Sequence, residues 1–131
     1  MDIALCRIRK NEVQYAGAHR PLYYMQKGEM VEIKGNKFPI GGGVYKNQTD
    51  FTTTTIKAAK GESIYFCSDG FPDQFGGPDN RKYGPKRLRA MIQEHHHKPM
   101  DEVHQTIESS WEEWRGEEKQ TDDVLMIGIK F

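Results

Sequence analysis

Hydrophobic positions along the chain follow two different periods, one in each half. In the first half, short apolar or β-branched runs alternate with polar residues and are separated by polar or glycine-containing turns. A period of two that is interrupted by such turns predicts a meander of antiparallel strands. The predicted strands cover residues 3–8, 13–18, 21–26, 30–35, 50–58 and 63–68.

The second half follows the 3.6-residue period of amphipathic helices. The first predicted helix covers residues 84–95, and its apolar face consists of Leu88, Met91 and Ile92. The second covers residues 99–114, and its apolar face consists of Met100, Val103, Ile107, Trp111 and Trp114. Both tryptophans are therefore interpreted as helix-packing residues and not as a binding platform.

Boundary residues support these two helices and one further strand. Pro85 and Pro99 each suit a first helical position, and Gly116 is a typical stop signal. The apolar run at residues 124–131 predicts a last strand. Strands, then two helices, then one strand predict an α+β fold in which the last strand returns to the sheet.

Composition narrows the class of protein. The 131 residues suit one domain, and 19 basic residues balance 19 acidic ones. A net charge of zero gives no electrostatic case for nucleic acid or an anionic membrane as partner. The chain shows neither a transmembrane-length apolar run nor a signal-peptide pattern, so a cytoplasmic location is expected. Cys6 and Cys67 are expected to be buried free thiols, with a single disulfide as the alternative.

Candidate chemistry lies at two strand ends. Asp69 follows the strand at 63–68, and the pair Asp122 and Asp123 precedes the last strand. Two carboxylates that converge at buried strand ends repel each other unless a cation neutralises them, and hard dications such as Mg²⁺ and Mn²⁺ take oxygen ligands. Gly70 has no side chain and leaves room for a close approach. The simpler alternative is that Asp69 opens a turn and Asp122 caps a loop.

Several motifs occur in an order that resembles a known family. The segments IYFCSDGFPDQF and QTDDVLMIGI resemble the metal-dependent protein phosphatases (PPM), in particular the bacterial SpoIIE-type branch. The upstream segments AGAHRP and PIGG resemble the family's Ala-Gly-His-x-Pro and Pro-Leu-Gly motifs, with Ala18 at a glycine position and Ile40 at a leucine position. The resemblance covers almost the whole chain.

This resemblance implies a fold and a site. The fold is an antiparallel β-sandwich flanked by helices, in α/β/β/α layers. Asp69 and Asp122 would be ligands of Mn²⁺ or Mg²⁺, two ions in the intact domain, with Gly70 contributing backbone space. Asp123 and His19 would lie close to the metal site, with an ordinary hydrogen-bonded loop histidine as the alternative for His19. A metal-activated water would hydrolyse phosphoserine or phosphothreonine on a regulatory protein, so no catalytic side chain is expected.

The resemblance also has a gap. The family carries an upstream segment with a metal-bridging Asp and an Asp-Gly-His-Gly motif, and Asp2 does not match it because MDIALCRI matches the strand that follows. Residues 1–131 are therefore expected to be the C-terminal part of a phosphatase domain, inactive alone. A non-catalytic, partner-binding pseudo-phosphatase is the alternative. Exposed sheet surface predicts a homo-oligomer, and an oligomerising scaffold is the third hypothesis.

Other conspicuous residues receive ordinary structural interpretations. Three adjacent histidines on a helix point in different directions, so His95–His97 is expected to be a solvated helix end and not a metal cluster. Gly41–Gly43 is expected to be a tight loop because no phosphate-binding Lys-Ser or Lys-Thr follows. The basic segment at residues 79–89 is expected to be solvated, and Asp73 and Asp79 are expected to serve turns.

Overall fold

Strands and helices follow one another much as the two periods predict. The computed structural model describes residues 1–41 and 50–131, so Gly42 and Gly43 of the predicted tight loop lie outside the described residues. The elements, in chain order, are β1 (Ile3–Arg9), β2 (Glu12–Ala18), β3 (Leu22–Gln26), β4 (Glu29–Ile33), β5 (Thr54–Lys57), β6 (Ser63–Cys67), α1 (Gly70–Asp73), β7 (Phe75–Gly76), β8 (Arg81–Lys82), α2 (Pro85–His95), α3 (Met100–Arg115) and β9 (Met126–Lys130).

Two antiparallel sheets pack face to face. The first sheet has the order β1-β2-β5, and the second has the order β4-β3-β6-β9. Alternation along β2 and β3 turns every second side chain into the space between the sheets. The core between the sheets consists of Val13, Tyr15, Leu22, Tyr24, Ala58 and Ile64. The expected antiparallel sandwich is thereby confirmed.

The helices cover the outer face of the second sheet. Tyr23, Met25 and Tyr65 alternate with residues of the inter-sheet core and point to the opposite face, where α2 and α3 pack. Because this sheet is buried on both faces, β3 and β6 are almost continuously apolar. The helical side of this second core consists of Phe71, Tyr83, Leu88, Met91, Ile92, Val103, Ile107 and Trp111. The described residues thus provide β/β/α, three of the four layers of the expected architecture.

The tryptophans belong to this helical layer. Trp111 is buried in its core, and Trp114 packs against the same core from its edge. The guanidinium of Arg87 lies 3.9 Å from the Trp114 ring centroid. The helix-packing interpretation of both tryptophans is therefore confirmed, whereas Arg87, expected to be simply solvated, covers an aromatic face.

The turn between α2 and α3 is held by the last strand. The Lys130 ammonium donates to the backbone oxygens of His96, His97 and Lys98, at 3.2, 3.5 and 2.8 Å. Burial, together with the positive charges of His97 and Lys130, lowers the pKa of His96. The histidine run does end a helix, as expected, and the backbone oxygens of the turn that follows accept hydrogen bonds from Lys130. Pro85 begins α2 as predicted, while Pro99 directly precedes α3.

The structure corrects three local expectations. The segment expected to be a loop after Asp69 contains the short helix α1 and the two-stranded hairpin β7–β8. Strand β5 is shorter than predicted, because the Thr52 amide bonds to the Asn36 side chain at 3.0 Å and not to a neighbouring strand. Cys6 and Cys67 are free thiols but only partly buried. None of the helices in residues 1–41 and 50–131 is long and apolar enough to cross a membrane.

Candidate functional site

The ends of β6 and β9 bring the two acidic segments together. Pairing of these strands continues past Cys67 and Met126, since the Ser68 amide donates to the Leu125 oxygen at 2.9 Å. The Ser68 hydroxyl donates to the Asp123 oxygen at 2.8 Å and accepts from the Leu125 amide at 2.9 Å. Ser68 therefore holds the Asp122–Asp123 segment beside Asp69, the residue that follows Ser68 in the chain.

Gly70 allows the two segments to touch. A Cβ atom at this position would overlap the carbonyl oxygen of Asp123 and would lie 3.2 Å from the carbonyl carbon of Asp122. Contacts of this kind do not occur for real side chains, so only glycine fits without movement of the acidic loop. The backbone that approaches Gly70 is thus the backbone of Asp122 and Asp123.

The two candidate ligand residues differ in their surroundings. Asp69 is half-exposed, and its Oδ2 accepts from the Arg20 guanidinium at 2.7 Å. Asp122 is exposed, and its Oδ1 accepts from the Asp123 amide at 2.7 Å. Asp69 is therefore ion-paired, while Asp122 makes a local bond that shapes its own loop.

Arg20 also holds a second carboxylate. Its Nη2 donates to Asp2 Oδ2 at 3.0 Å as well as to Asp69. Because both oxygens bind the same nitrogen, the carboxylates of Asp2 and Asp69 lie closer together than the sum of these two distances. His19 Nδ1 lies 3.0 Å from Asp2 Oδ1, and this contact, followed by the charges of His19 and Arg20, lowers the pKa of Asp2. His19, expected near the metal site, thus reaches Asp69 only through Asp2 and Arg20.

Sequence reasoning missed both Arg20 and Asp2 as members of this cluster. Asp2 lies in a segment that matches a strand beyond the family's metal motif, and Arg20 has no recognised role in the AGAHRP segment. The signal available in the sequence was a lone arginine at the turn between two predicted strands. Its meaning depends on a contact between residues 49 positions apart.

A cleft of about 670 Å³ opens beside this cluster. Its polar lining consists of Asp2, Arg20, Ser68 and Asp69, and its apolar lining includes Leu125 and Ile127. Cys67 also lines the cleft, and burial raises the pKa of its thiol to about 11. The thiol is therefore protonated at neutral pH and is a poor nucleophile.

The donor atoms fit a hard dication, but they form only part of a site. Carboxylate oxygens of Asp69 and Asp122, at the ends of adjacent strands, are the ligands that Mn²⁺ and Mg²⁺ prefer. Within residues 1–41 and 50–131, no group of three or more acidic, histidine or cysteine side chains is arranged to hold a metal. Asp79 lies in the turn of the β7–β8 hairpin, as expected, and pairs with Arg81. Asp73, expected to serve a turn, instead ends helix α1 and pairs with Lys82.

Solved structures with a similar fold include phosphatase domains. The SiaA-PP2C domain of Pseudomonas aeruginosa matches with a TM-score of 0.82 and 31% identity, over 94% of this chain and 48% of that one. The phosphatase domain of SpoIIE from Bacillus subtilis, presoaked with Mn, matches with a TM-score of 0.69 and 11% identity, over 98% and 56%. The catalytic domain of PstP in complex with two manganese ions matches with a TM-score of 0.57 and 14% identity, over 97% and 56%.

The family follows from the sequence as a whole. The family model described as stage II sporulation protein E (SpoIIE) matches residues 1–131, and the chain belongs to this family. The chain spans about half the length of the solved domains that it matches. Curated proteins give no significant match. The resemblance stated from the motifs is thereby confirmed.

Proposed function

We propose that this chain forms the C-terminal part of a phosphatase domain that hydrolyses phosphoserine or phosphothreonine on a regulatory protein, with Mn²⁺ or Mg²⁺. The observation that carries the proposal is the contact between Gly70 and the Asp122–Asp123 backbone, which places two acidic segments at adjoining strand ends. Family membership and the PP2C-type fold support it.

In this proposal the carboxylates of Asp69 and Asp122 are ligands of the cations. Dications held there would supply a water of lowered pKa as nucleophile and positive charge beside the phosphoryl oxygens. The chain's own residues position these ligands: Ser68 fastens the loop before β9, and Gly70 lets it approach. No protein nucleophile is required, in keeping with the raised pKa of Cys67.

Residues outside the 131 complete the coordination in this proposal. The described residues offer fewer than three converging ligands, and the matched domains are about twice as long. The missing ligands come either from the same polypeptide or from a second chain. A homo-oligomer that pairs the open edges of β1 or β9 is one arrangement that brings a second chain close to the site.

The same incompleteness favours a second candidate function. A module without its full ligand set, but with an intact sandwich, binds a partner and performs no hydrolysis. The two functions differ in whether Asp69 contributes to cation affinity.

The test is Mn²⁺ binding by calorimetry, together with hydrolysis of a phosphopeptide by the whole protein that carries these residues. Asp69→Asn is expected to weaken Mn²⁺ binding at least about tenfold and to abolish Mn²⁺-dependent hydrolysis, because a neutral amide replaces a charged ligand. Asp79→Asn, in the exposed hairpin, is the matched control and leaves both unchanged. Wild-type values for Asp69→Asn would refute the proposal and favour the binding module.

A further inference from the structure

A guanidinium binds one oxygen of the Asp69 carboxylate, which the proposed function assigns to a cation. Arg20 Nη2 lies 2.7 Å from Asp69 Oδ2, and the same nitrogen lies 3.0 Å from Asp2 Oδ2. A terminal guanidinium nitrogen carries two hydrogens, so each hydrogen has one carboxylate acceptor. Arg20 therefore sits between the two acids, with only about a fifth of its side chain exposed.

The backbone conformation of His19 and two hydrogen bonds position Arg20 between the two acids. His19 has φ of 57°, in the left-handed region that residues other than glycine rarely adopt. The Arg20 amide donates to the Ala18 oxygen at 2.7 Å, and the Tyr15 hydroxyl donates to the Arg20 oxygen. These two bonds hold the left-handed turn at His19 in place.

Gly17 makes this arrangement sterically possible. A Cβ atom at residue 17 would overlap the Tyr15 hydroxyl and would lie 2.5 Å from the Arg20 oxygen. Any side chain at this position would therefore displace the carbonyl that orients Arg20. Strand β2, the left-handed residue and the tyrosine bond together aim the guanidinium at the ends of β1 and β6.

The positive charge of Arg20, so close to Asp69, opposes the binding of a cation there. A guanidinium and a dication compete for the same carboxylate, and like charges at short range repel. Arginine stays protonated at any physiological pH, so pH does not relieve the competition. Asp2 offers the guanidinium a second acceptor, so the guanidinium stays paired with Asp2 when Asp69 binds a cation.

We propose that Arg20 is a positioning residue that competes with the divalent cation for Asp69, and that Asp2 retains the guanidinium when the cation binds. The inference rests on the proposed function, since it takes Asp69 as a metal ligand. Arg20 therefore raises the cation concentration needed to fill the site, and Asp2 lowers that concentration by binding the guanidinium.

The experiment is Mn²⁺ titration by calorimetry of the whole protein that carries these residues, with circular dichroism to verify folding. Arg20→Gln is expected to bind Mn²⁺ about three- to tenfold more tightly, because a competing charge-assisted bond and a repulsive charge are both lost. Arg20→Lys, which keeps the charge but loses the fork, is expected to fall between wild type and Arg20→Gln. Arg89→Gln is the matched control, since Arg89 pairs with Glu32 at 2.6 Å away from the site, and it leaves affinity unchanged.

Asp2 gives a second, independent measurement. Asp2→Asn is expected to weaken Mn²⁺ binding several-fold, because Arg20 then has only Asp69 as a charged partner. An effect of this size is typical for the loss of one surface ion pair. In the Arg20→Gln background the same change has a much smaller effect, because the residue through which Asp2 acts is gone. Equal effects of Asp2→Asn in both backgrounds would overturn the role given to Asp2.

Failure of this inference is separable from failure of the proposed function. If Asp69→Asn weakens Mn²⁺ binding while Arg20→Gln leaves it equal or weaker, only the competition is overturned. If Asp69→Asn binds like wild type, the metal role of Asp69 itself is wrong. If neither the wild-type protein nor Arg20→Gln takes up Mn²⁺, the competition is overturned, and hydrolysis by Asp69→Asn still tests the function.

Discussion

The two sheets of the sandwich share one core but differ in their outer faces. On the second sheet, Tyr23, Met25 and Tyr65 are almost fully buried beneath α2 and α3. On the first sheet, Leu5 pairs with Ala16 on the outer face and is 63% exposed. The difference appears in the sequence as continuous apolar runs in β3 and β6 and as mixed residues in β1. A strand's outer-face composition therefore identifies which sheet lies in the middle of the layers.

The candidate site lies where these unequal sheets meet. Asp2 precedes β1, and Arg20 lies in the connection from β2 in the first sheet to β3 in the second. Asp69 and Asp122 belong to the ends of β6 and β9 in the second sheet. The doubly covered sheet thus carries the proposed ligands, while the sheet with the open face is continuous with Asp2 and with Arg20, which pairs with Asp69.

Leu88→Ala tests the covered side and has the largest expected effect. Leu88 has no exposed surface in the core beneath α2, so its truncation leaves a cavity and removes buried contacts. We expect a loss of about 2–5 kcal/mol in the free energy of unfolding, measured by urea denaturation. A loss below about 1 kcal/mol would mean that the helical layer is not closely packed on the sheet.

Glu62 tests a polar contact at the end of the sandwich, with an intermediate effect. Its carboxylate accepts from the Tyr24 hydroxyl, from the Ala59 amide and from the Lys27 amide. These bonds, led by that of Tyr24, lower the pKa of Glu62.

A lowered pKa gives stability above the unfolded-state value, and this stability is lost as pH falls through the folded-state value. Glu62→Gln is therefore expected to reduce the free energy of unfolding by about 1 kcal/mol or less at pH 7, with the difference from wild type shrinking below about pH 4. Urea denaturation at several pH values measures it. A difference that grows toward acid pH would have the wrong sign and would contradict the assignment.

Leu5→Ala tests the open face and has the smallest expected effect. Because Leu5 is mostly exposed, its truncation is expected to change the free energy of unfolding by less than about 0.5 kcal/mol. It is matched to Leu88→Ala in the atoms removed, so the ratio of the two effects measures the difference between the faces. A loss comparable to that of Leu88→Ala would show that another layer covers the first sheet in solution.

The hydrophobic pattern predicted the elements whose burial is regular. Ile64 and Tyr65 point to opposite cores, and the continuous apolar run that results is visible in the sequence. The β7–β8 hairpin was not predictable in this way, because its two-residue strands are too short to show a period. Gly76 lies in it against the Trp114 backbone, where a Cβ atom would overlap the Trp114 oxygen. That contact depends on where α3 lies, which no local pattern encodes.

The site was predicted in part, and for a different reason. Asp69, Gly70 and Asp122 were identified from motifs at strand ends and from the family resemblance, and the structure brings their backbones together. Arg20 and Asp2 were missed because their pairing with one another and with Asp69 comes from the way the connection after β2 passes the start of β1. Whether Asp69 and Asp122 bind metal remains a prediction.

The bond from Lys130 to the turn between α2 and α3 has a consequence for synthesis on the ribosome. Strand β9 follows both helices along the chain, so a growing polypeptide makes α2 and α3 before the residue that fastens their connection. The same late strand supplies the neighbour of β6. A nascent chain therefore exposes an unpaired edge and an unfastened helical hairpin until β9 emerges, and in that interval it depends most on chaperones.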